Sequence, residues 1–437
     1  MTDDTQKRGL SRRQLIQSSA LVGGSAALNL FAPNIVRAAE TTIKIGYITS
    51  LSGPRATFSE PAQYTVDTMK ALLRDGLEIG GTKYPVEILM RDQQSSPTRA
   101  GEVGRDLILQ DQVDILLADD GDSHFAAGEI ADQKGVPFVS TINQWEPFIE
   151  ARNSTPEKGY PWSFMFTFGA TDIAKTYVGL WETLPTNKKV GVLFLDIPPG
   201  HAFGDQQRGI PFFLKQKGFD VVDGGFVRFD SDDFSSQIAM FKEAKCDIIA
   251  GFLLDPHFQT FWGQSLQAGL SPKAVTFAGP FLFPTSLAAL GDMGDGMSGE
   301  VWWTPDVPFK SSLTGQTARE VATAWETATG AQWTQPLGYM HALYEVGLAA
   351  LKHAKDPRDK EGIREGIRQM ALDTVVGPVN FRDSKIKSVA VTEVAMGQWS
   401  KTPEGSKFPY ELGIVYADPQ IAPNLKPNAK MRLLGQS

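Results

Sequence analysis

Three aspartates, Asp119, Asp120 and Asp122, follow the apolar run Val113–Ala118, with Gly121 between them and Ser123 after them. Carboxylates this dense suit either a hard cation or the start of a helix. The loop glycine and distal glutamate of an EF-hand are missing, which argues against calcium. Asp122 and Ser123 have side chains that accept from the unpartnered N–H groups of a first helical turn, so capping is the plain reading of Asp122. Further on, Ser140, Thr141 and Asn143 offer two hydroxyls and a carboxamide, groups that both donate and accept. His124, His201, His257, His341 and His353 are scattered and form no short metal motif. His257 follows an apolar run and is a candidate to touch a ligand; His341 reads as structural. No Walker A, G-x-G-x-x-G or G-x-S-x-G pattern appears, and no convincing His-Asp set accompanies a nucleophile, so neither cofactor nor catalytic group is expected. The single cysteine, Cys246, rules out an internal disulfide, a Cys-rich zinc site and a CxxC motif.

These residues sit between short apolar runs and longer amphipathic ones. Strands are expected at 42–49, 86–90, 113–118 and 136–140, with helices at 60–77, 98–110 and 123–134. In the first helix Val66, Met69, Leu72 and Leu73 are placed on one face. After Trp162 the rhythm restarts, with strands at 163–168, 189–195, 221–227, 247–254 and 275–277. Helices are expected at 172–184, 204–216, 314–330 and 337–354. Alternating β and α implies α/β architecture with parallel sheets covered on both faces. Such sheets bind ligands beyond the carboxyl ends of their strands. That rule singles out loops 50–60, 118–124 and 140–148.

A chain of 437 residues exceeds one hydrophobic core, so two domains are expected. Net charge is −8, and Lys7, Arg8, Arg12, Arg13 and Arg37 are concentrated in the first 39 residues against Asp3 and Asp4. The remainder is therefore more acidic still, which repels phosphate backbones and makes nucleic acid an unexpected partner. The N-terminus orders Ser11-Arg12-Arg13, a weakly apolar stretch from Ser18 to Ala32, and small residues near Ala38 and Ala39. That is the order of an export signal of twin-arginine kind, cleaved near Ala38 or Ala39, with Leu15 where that motif usually has Phe. Periplasmic localisation without a lipid anchor is the expectation.

Several stretches in order resemble type I periplasmic binding proteins of the branched-chain amino-acid (Leu/Ile/Val-binding) family. They are IKIGYITSLSGP at 43–54, MRDQQSSP at 90–97, GVPFVST at 135–141, Phe203-Gly204, and GPVNF at 377–381. The resemblance implies two doubly wound parallel-sheet lobes joined by a hinge of three crossovers. One lobe would comprise 42–166 and 283–388, the other 167–282 and 389–437. It also implies a non-enzymatic, monomeric receptor that closes on a small molecule and hands it to the permease and ATPase of an ABC importer. The rival implied role is a periplasmic sensor presenting the solute to a signalling receptor; an exported hydrolase ranks last.

By the same resemblance, loops 119–123 and 140–143 hold a ligand carboxylate through small hydroxyls and backbone N–H groups. Gly121, Ser140, Thr141 and Asn143 fit that pattern. Asp120 and Asp122 depart from it, and Arg55 in the Gly-Pro loop is placed to compensate them. Phe281 stands where the family has the glutamate that binds a ligand ammonium. Phe203 and Leu254 stand where it has tyrosines. A plain α-amino acid would leave its ammonium poorly paired there. Phe58, Trp145, Phe148, Trp162, Phe283, Trp302 and Trp303 crowd the same loops. The expected ligand has an apolar or aromatic body and one polar end, whether amino acid-like, amide or carboxylate.

Overall fold

The computed structural model describes residues 41–435 and the two-residue strand Arg37–Ala38. The rest of the expected export segment lies outside the described residues. The chain enters a first sheet with β1 (Ile43–Thr49), β2 (Val86–Asp92), β3 (Ile115–Ala118), β4 (Phe138–Ser140) and β5 (Ser163–Thr167). A second sheet takes β6 (Lys189–Leu195), β7 (Asp220–Val227), β8 (Ile248–Phe252), β9 (Ala274–Ala278) and β10 (Ser298–Val301). The chain then returns to the first sheet with β11 (Val389–Val391) and ends in the second with β12 (Ala395–Lys401) and β13 (Tyr410–Tyr416).

The first sheet is parallel throughout, in the order β11-β5-β4-β3-β1-β2. The second runs β7-β6-β8-β9-β10-β12-β13, parallel up to β10 and antiparallel beyond it. Strands β3, β4, β5, β8 and β9 are buried at every position, the mark of sheets covered by helices on both faces. Each sheet reverses its strand order beside its first strand, and crevices open at such points.

Three crossovers link the lobes, after β5, β10 and β11. Two fall later than expected. Segment 298–301, expected in lobe 1, is hydrogen-bonded into the second sheet. Segment 389–391, expected in lobe 2, is hydrogen-bonded into the first. Both lobes are built from similar βα units, and strand pattern alone carries no label of sheet membership.

The first helices are α1 (Ala62–Leu72), α2 (Pro97–Leu109), α3 (Gly121–Lys134), α4 (Trp145–Glu150), α5 (Ala170–Glu182) and α6 (Pro198–Gly204). Helix α1 is shorter than its apolar pattern suggested; it buries Val66 and Met69, with Leu73 buried just past its end, but exposes Leu72. Leu72 lies six residues from Val66 and so falls off the stripe. The helix expected over 204–216 covers only Ile210–Gln216, and a separate helix, α6, precedes it. Each begins with proline in its first turn, where the missing N–H costs nothing.

Candidate ligand-binding site

The lobe 1 wall begins where β1 ends. The turn after Gly53 and Pro54 carries Arg55 back over the sheet edge, and a single helical turn, Ala56–Ser59, buries Phe58. Asp120 follows β3 and is fully buried. It holds the N-cap position of α3 but does not cap the helix with its side chain. Its Oδ1 accepts from Arg55 Nε at 2.5 Å and lies 2.5 Å from Arg55 Nη2. Its Oδ2 accepts from Ser50 and, at 3.0 Å, from Gln93 Nε2. A side chain at Gly121 would place its Cβ 2.8 Å from Arg55 Nη2, so the guanidinium needs glycine there. The compensation expected between Arg55 and the aspartates is therefore internal. Asp122 lies in the first turn of α3, two residues past the N-cap position, and its side chain lies outside the described residues.

Asp119 belongs elsewhere. It accepts from the Tyr47 hydroxyl, and burial pushes its carboxyl up to about 8. Ser140 and Thr141 are fully buried and donate to the Phe164 and Phe166 carbonyls of β5. Asn143 does reach the cavity, and its Oδ1 accepts from the Gln144 N–H at 2.9 Å. Trp145 opens α4 and packs against Gly169 at the first crossover. In the same helix, buried Glu146 accepts from the N–H groups of Ala170 and Thr171 and so ties α4 to the start of α5.

The lobe 2 wall differs from expectation. Phe281 is buried edge-on against Phe258, with ring centroids 4.7 Å apart, and is core. Phe203 stacks on Phe252, which itself lines the cavity. Leu254 is buried at the start of the next helix, and His257 is held by the Phe229 carbonyl at 2.8 Å. None of Phe203, Leu254, His257 or Phe281 lines the cavity.

A residue that sequence reasoning passed over does line it: Glu300, in β10. Its Oε1 accepts from Gly279 N–H at 3.2 Å and its Oε2 from the Tyr177 hydroxyl of α5 at 2.5 Å. Gly279 adopts φ 104°, and a Cβ there would lie 2.4 Å from the Leu253 carbonyl, so glycine is required to aim that N–H. Burial pushes the Glu300 carboxyl up to about 7, against the lowering hydrogen bonds. The available signal was an acidic residue inside a strand whose fellows are small or apolar.

Next along the chain, Trp302 lies 4.5 Å from Phe168 and 6.5 Å from Phe58, centroid to centroid, both near-parallel. The Gln335 side chain fixes this corner by accepting from Trp302 N–H and donating to the Glu300 carbonyl. Lobe 1 thus contributes Arg55, Phe58, Asn143 and Gln144, and lobe 2 contributes Phe252, Gly279 and Glu300. The free volume between them is only about 20 Å³, room for about one water. Larger hollows exist, among them one of about 540 Å³ around Arg152 and Tyr160 at the opposite ends of the strands. Among the described residues no cluster of His, Cys, Asp or Glu is arranged to hold a metal, and no helix is long and apolar enough to cross a membrane. Burial pushes the Cys246 thiol up to about 11, which leaves it unreactive.

Two doubly wound lobes with convergent strand-end loops define a hinged α/β binding protein. The family of periplasmic binding proteins matches residues 42–405, and the chain belongs to it. The family's proteins are non-enzymatic, ligand-binding components of ABC transporters working outside the cytoplasm. Three solved structures illustrate the likeness. A leucine-binding protein from Thermotoga maritima aligns with TM-score 0.70 and 17% identity, over 87% of this chain and all of that one. A solute-binding protein from Rhodopseudomonas palustris, in complex with 3,4-dihydroxybenzoic acid, gives 0.67 and 18%, over 87% and 99%. A branched-chain amino-acid binding protein from Streptococcus pneumoniae, in complex with isoleucine, gives 0.67 and 17%, over 86% and 100%. At such identities these likenesses speak for the fold. No curated protein matches the chain.

Proposed function

We propose that the protein is exported by the twin-arginine route, binds as a monomer a small organic molecule with an apolar or aromatic body and a polar end, and delivers it to the permease and ATPase of an importer. The observation that carries this reading is the aromatic cavity at the lobe junction, with Phe58, Trp302 and Phe252 as walls and Glu300 at its rim. Aromatic walls with few polar groups suit a flat or hydrocarbon body. An α-amino acid is disfavoured because the one carboxyl in the lining, Glu300, already accepts at both oxygens and is raised by burial toward its neutral form, and Arg55 is already matched by Asp120. Both ligand kinds occur on this fold, since the Rhodopseudomonas relative carries an aromatic acid and the Streptococcus one isoleucine. A cavity of about 20 Å³ admits no such molecule without movement, so the two sheets with their helices part at the crossovers and close again on the ligand.

A thermal-shift panel of leucine, isoleucine, benzoate, hydroxybenzoates and aromatic amides tests this. A ligand present at 100 times its Kd stabilises the folded state by about 2.7 kcal/mol. Aromatic-bodied compounds are expected to raise the melting point and leucine to leave it unchanged. Tight leucine binding overturns the reading.

A further inference from the structure

Five residues whose side chains carry polar groups line the cavity: Arg55, Asn143, Gln144, Glu300 and Trp302. Most of their hydrogen-bonding capacity is already used inside the protein. Arg55 is ion-paired with Asp120, Asn143 Oδ1 takes the Gln144 N–H, and each Glu300 oxygen takes one donor. Two polar atoms in this lining are buried and unpartnered: Gln144 Oε1, an acceptor, and Trp302 Nε1, a donor. Gln144 is 6% exposed and Trp302 4%, so solvent does not satisfy them. Buried polar atoms left in this state are costly, and native proteins rarely tolerate them without a use.

The pair has a definite complement. A carboxylate offers acceptors only; it would take the Trp302 N–H but confront Gln144 Oε1 and the Glu300 oxygens. An ammonium offers donors only and leaves Trp302 unmatched. A carboxamide carries a carbonyl and an NH₂ in one plane, one for each unmet atom, with an N–H left over for Glu300. It also enters without charge, which avoids the desolvation cost of an ion in an aromatic cavity. We propose that this cavity is specific for an uncharged carboxamide head, read by Gln144, Trp302 and Glu300, on an aromatic body.

This inference rests on the ligand reading above and narrows it. Titration calorimetry of the full chain with benzamide, benzoate and leucine separates the two. Benzamide is expected to bind at least tenfold more tightly than benzoate, one satisfied buried hydrogen bond amounting to about tenfold. Benzoate binding as tightly as benzamide, or more so, overturns the carboxamide inference and leaves the aromatic reading standing. Binding of none of the aromatic probes overturns the ligand reading itself. Gln144→Leu is expected to weaken benzamide about tenfold while benzoate binds no less tightly. An equal loss for both probes would mean that Gln144 only shapes the wall, and the inference fails.

Discussion

Two buried carboxyls, one in each lobe, flank the same cavity and are stabilised in opposite ways. Asp120 in lobe 1 faces a cation, Arg55, at 2.5 Å, and also accepts from Ser50 and Gln93. Glu300 in lobe 2 faces only neutral donors, the Gly279 N–H and the Tyr177 hydroxyl. A carboxylate matched by a cation is fixed architecture, because removing either partner takes away the opposite charge held against the other. A carboxyl held by neutral donors keeps its proton more readily as burial raises its affinity for it, so its state responds to pH and to what binds beside it. Lobe 1 therefore supplies a rigid electrostatic floor and lobe 2 the responsive group.

The largest effect expected from this contrast is on the lobe 1 side. Arg55→Met takes the guanidinium away from Asp120, which is fully buried, and breaking a buried pair in that manner costs about 3–5 kcal/mol. Because the Arg55 side chain is 13% exposed, the lower end, about 3 kcal/mol, is expected in urea denaturation. Adding Asp120→Asn should recover most of the loss, since the stranded charge is then gone. A double variant no more stable than the single one would show that the pair's role is packing and not charge.

On the lobe 2 side the expected effect is smaller and depends on pH. The Glu300 carboxyl is raised from an ordinary 4.5 to about 7. The folded state thus holds this proton more tightly than the unfolded chain does. Its stabilising contribution is whole below about pH 4.5 and is lost as pH rises through about 7. Glu300→Gln removes that loss. Unfolding free energies of the protein and the variant, measured at pH 5 and pH 8, are expected to diverge by on the order of 2 kcal/mol in the variant's favour at the higher pH. Asp119, also raised, is common to both proteins and cancels. A pH-independent difference would mean that Glu300 is ionised in the folded protein throughout.

The same contrast shows what a sequence can carry. The βα order, the switch-point loops and the aromatic character of the cleft were legible, because buried parallel strands read as unbroken apolar runs and loop 50–60 must follow β1. Arg55, Phe58 and Asn143, singled out in those loops, line the cavity. Glu300 was not, since one acidic residue in a strand looks the same whether its face meets water or a cavity. Phe281 was misplaced for the converse reason. A turn position fixes where the backbone goes, but the ring turned inward onto Phe258 and left the site. Ser140 and Thr141 have the chemistry of ligand-holding hydroxyls, yet the β5 carbonyls lie close enough to accept their hydrogen bonds. Which of two neighbours accepts a hydroxyl's hydrogen bond is decided by packing, which a linear pattern does not contain.

The smallest expected effect lies where the two lobes meet at the rim. Arg208, between α6 and the following helix, reaches Glu150 of α4 at 2.5 Å across the junction. The side chains are 38% and 50% exposed, so the pair contributes at most about 1 kcal/mol to folding. Its consequence is conformational, because Glu150 belongs to one lobe and Arg208 to the other, and parting the lobes breaks the pair. A few tenths of a kcal/mol is enough to shift a nearly balanced open–closed equilibrium measurably. Arg208→Ala is therefore expected to leave the melting point within about 2 °C while small-angle scattering of the ligand-free protein reports a larger radius of gyration. In 1 M salt the Debye length falls to about 3 Å, and the unaltered protein should then approach the variant's scattering curve. Identical curves for both proteins at low salt would show that the lobes are held by the crossovers and the aromatic contact of Phe58 with Trp302, with the rim pair a bystander.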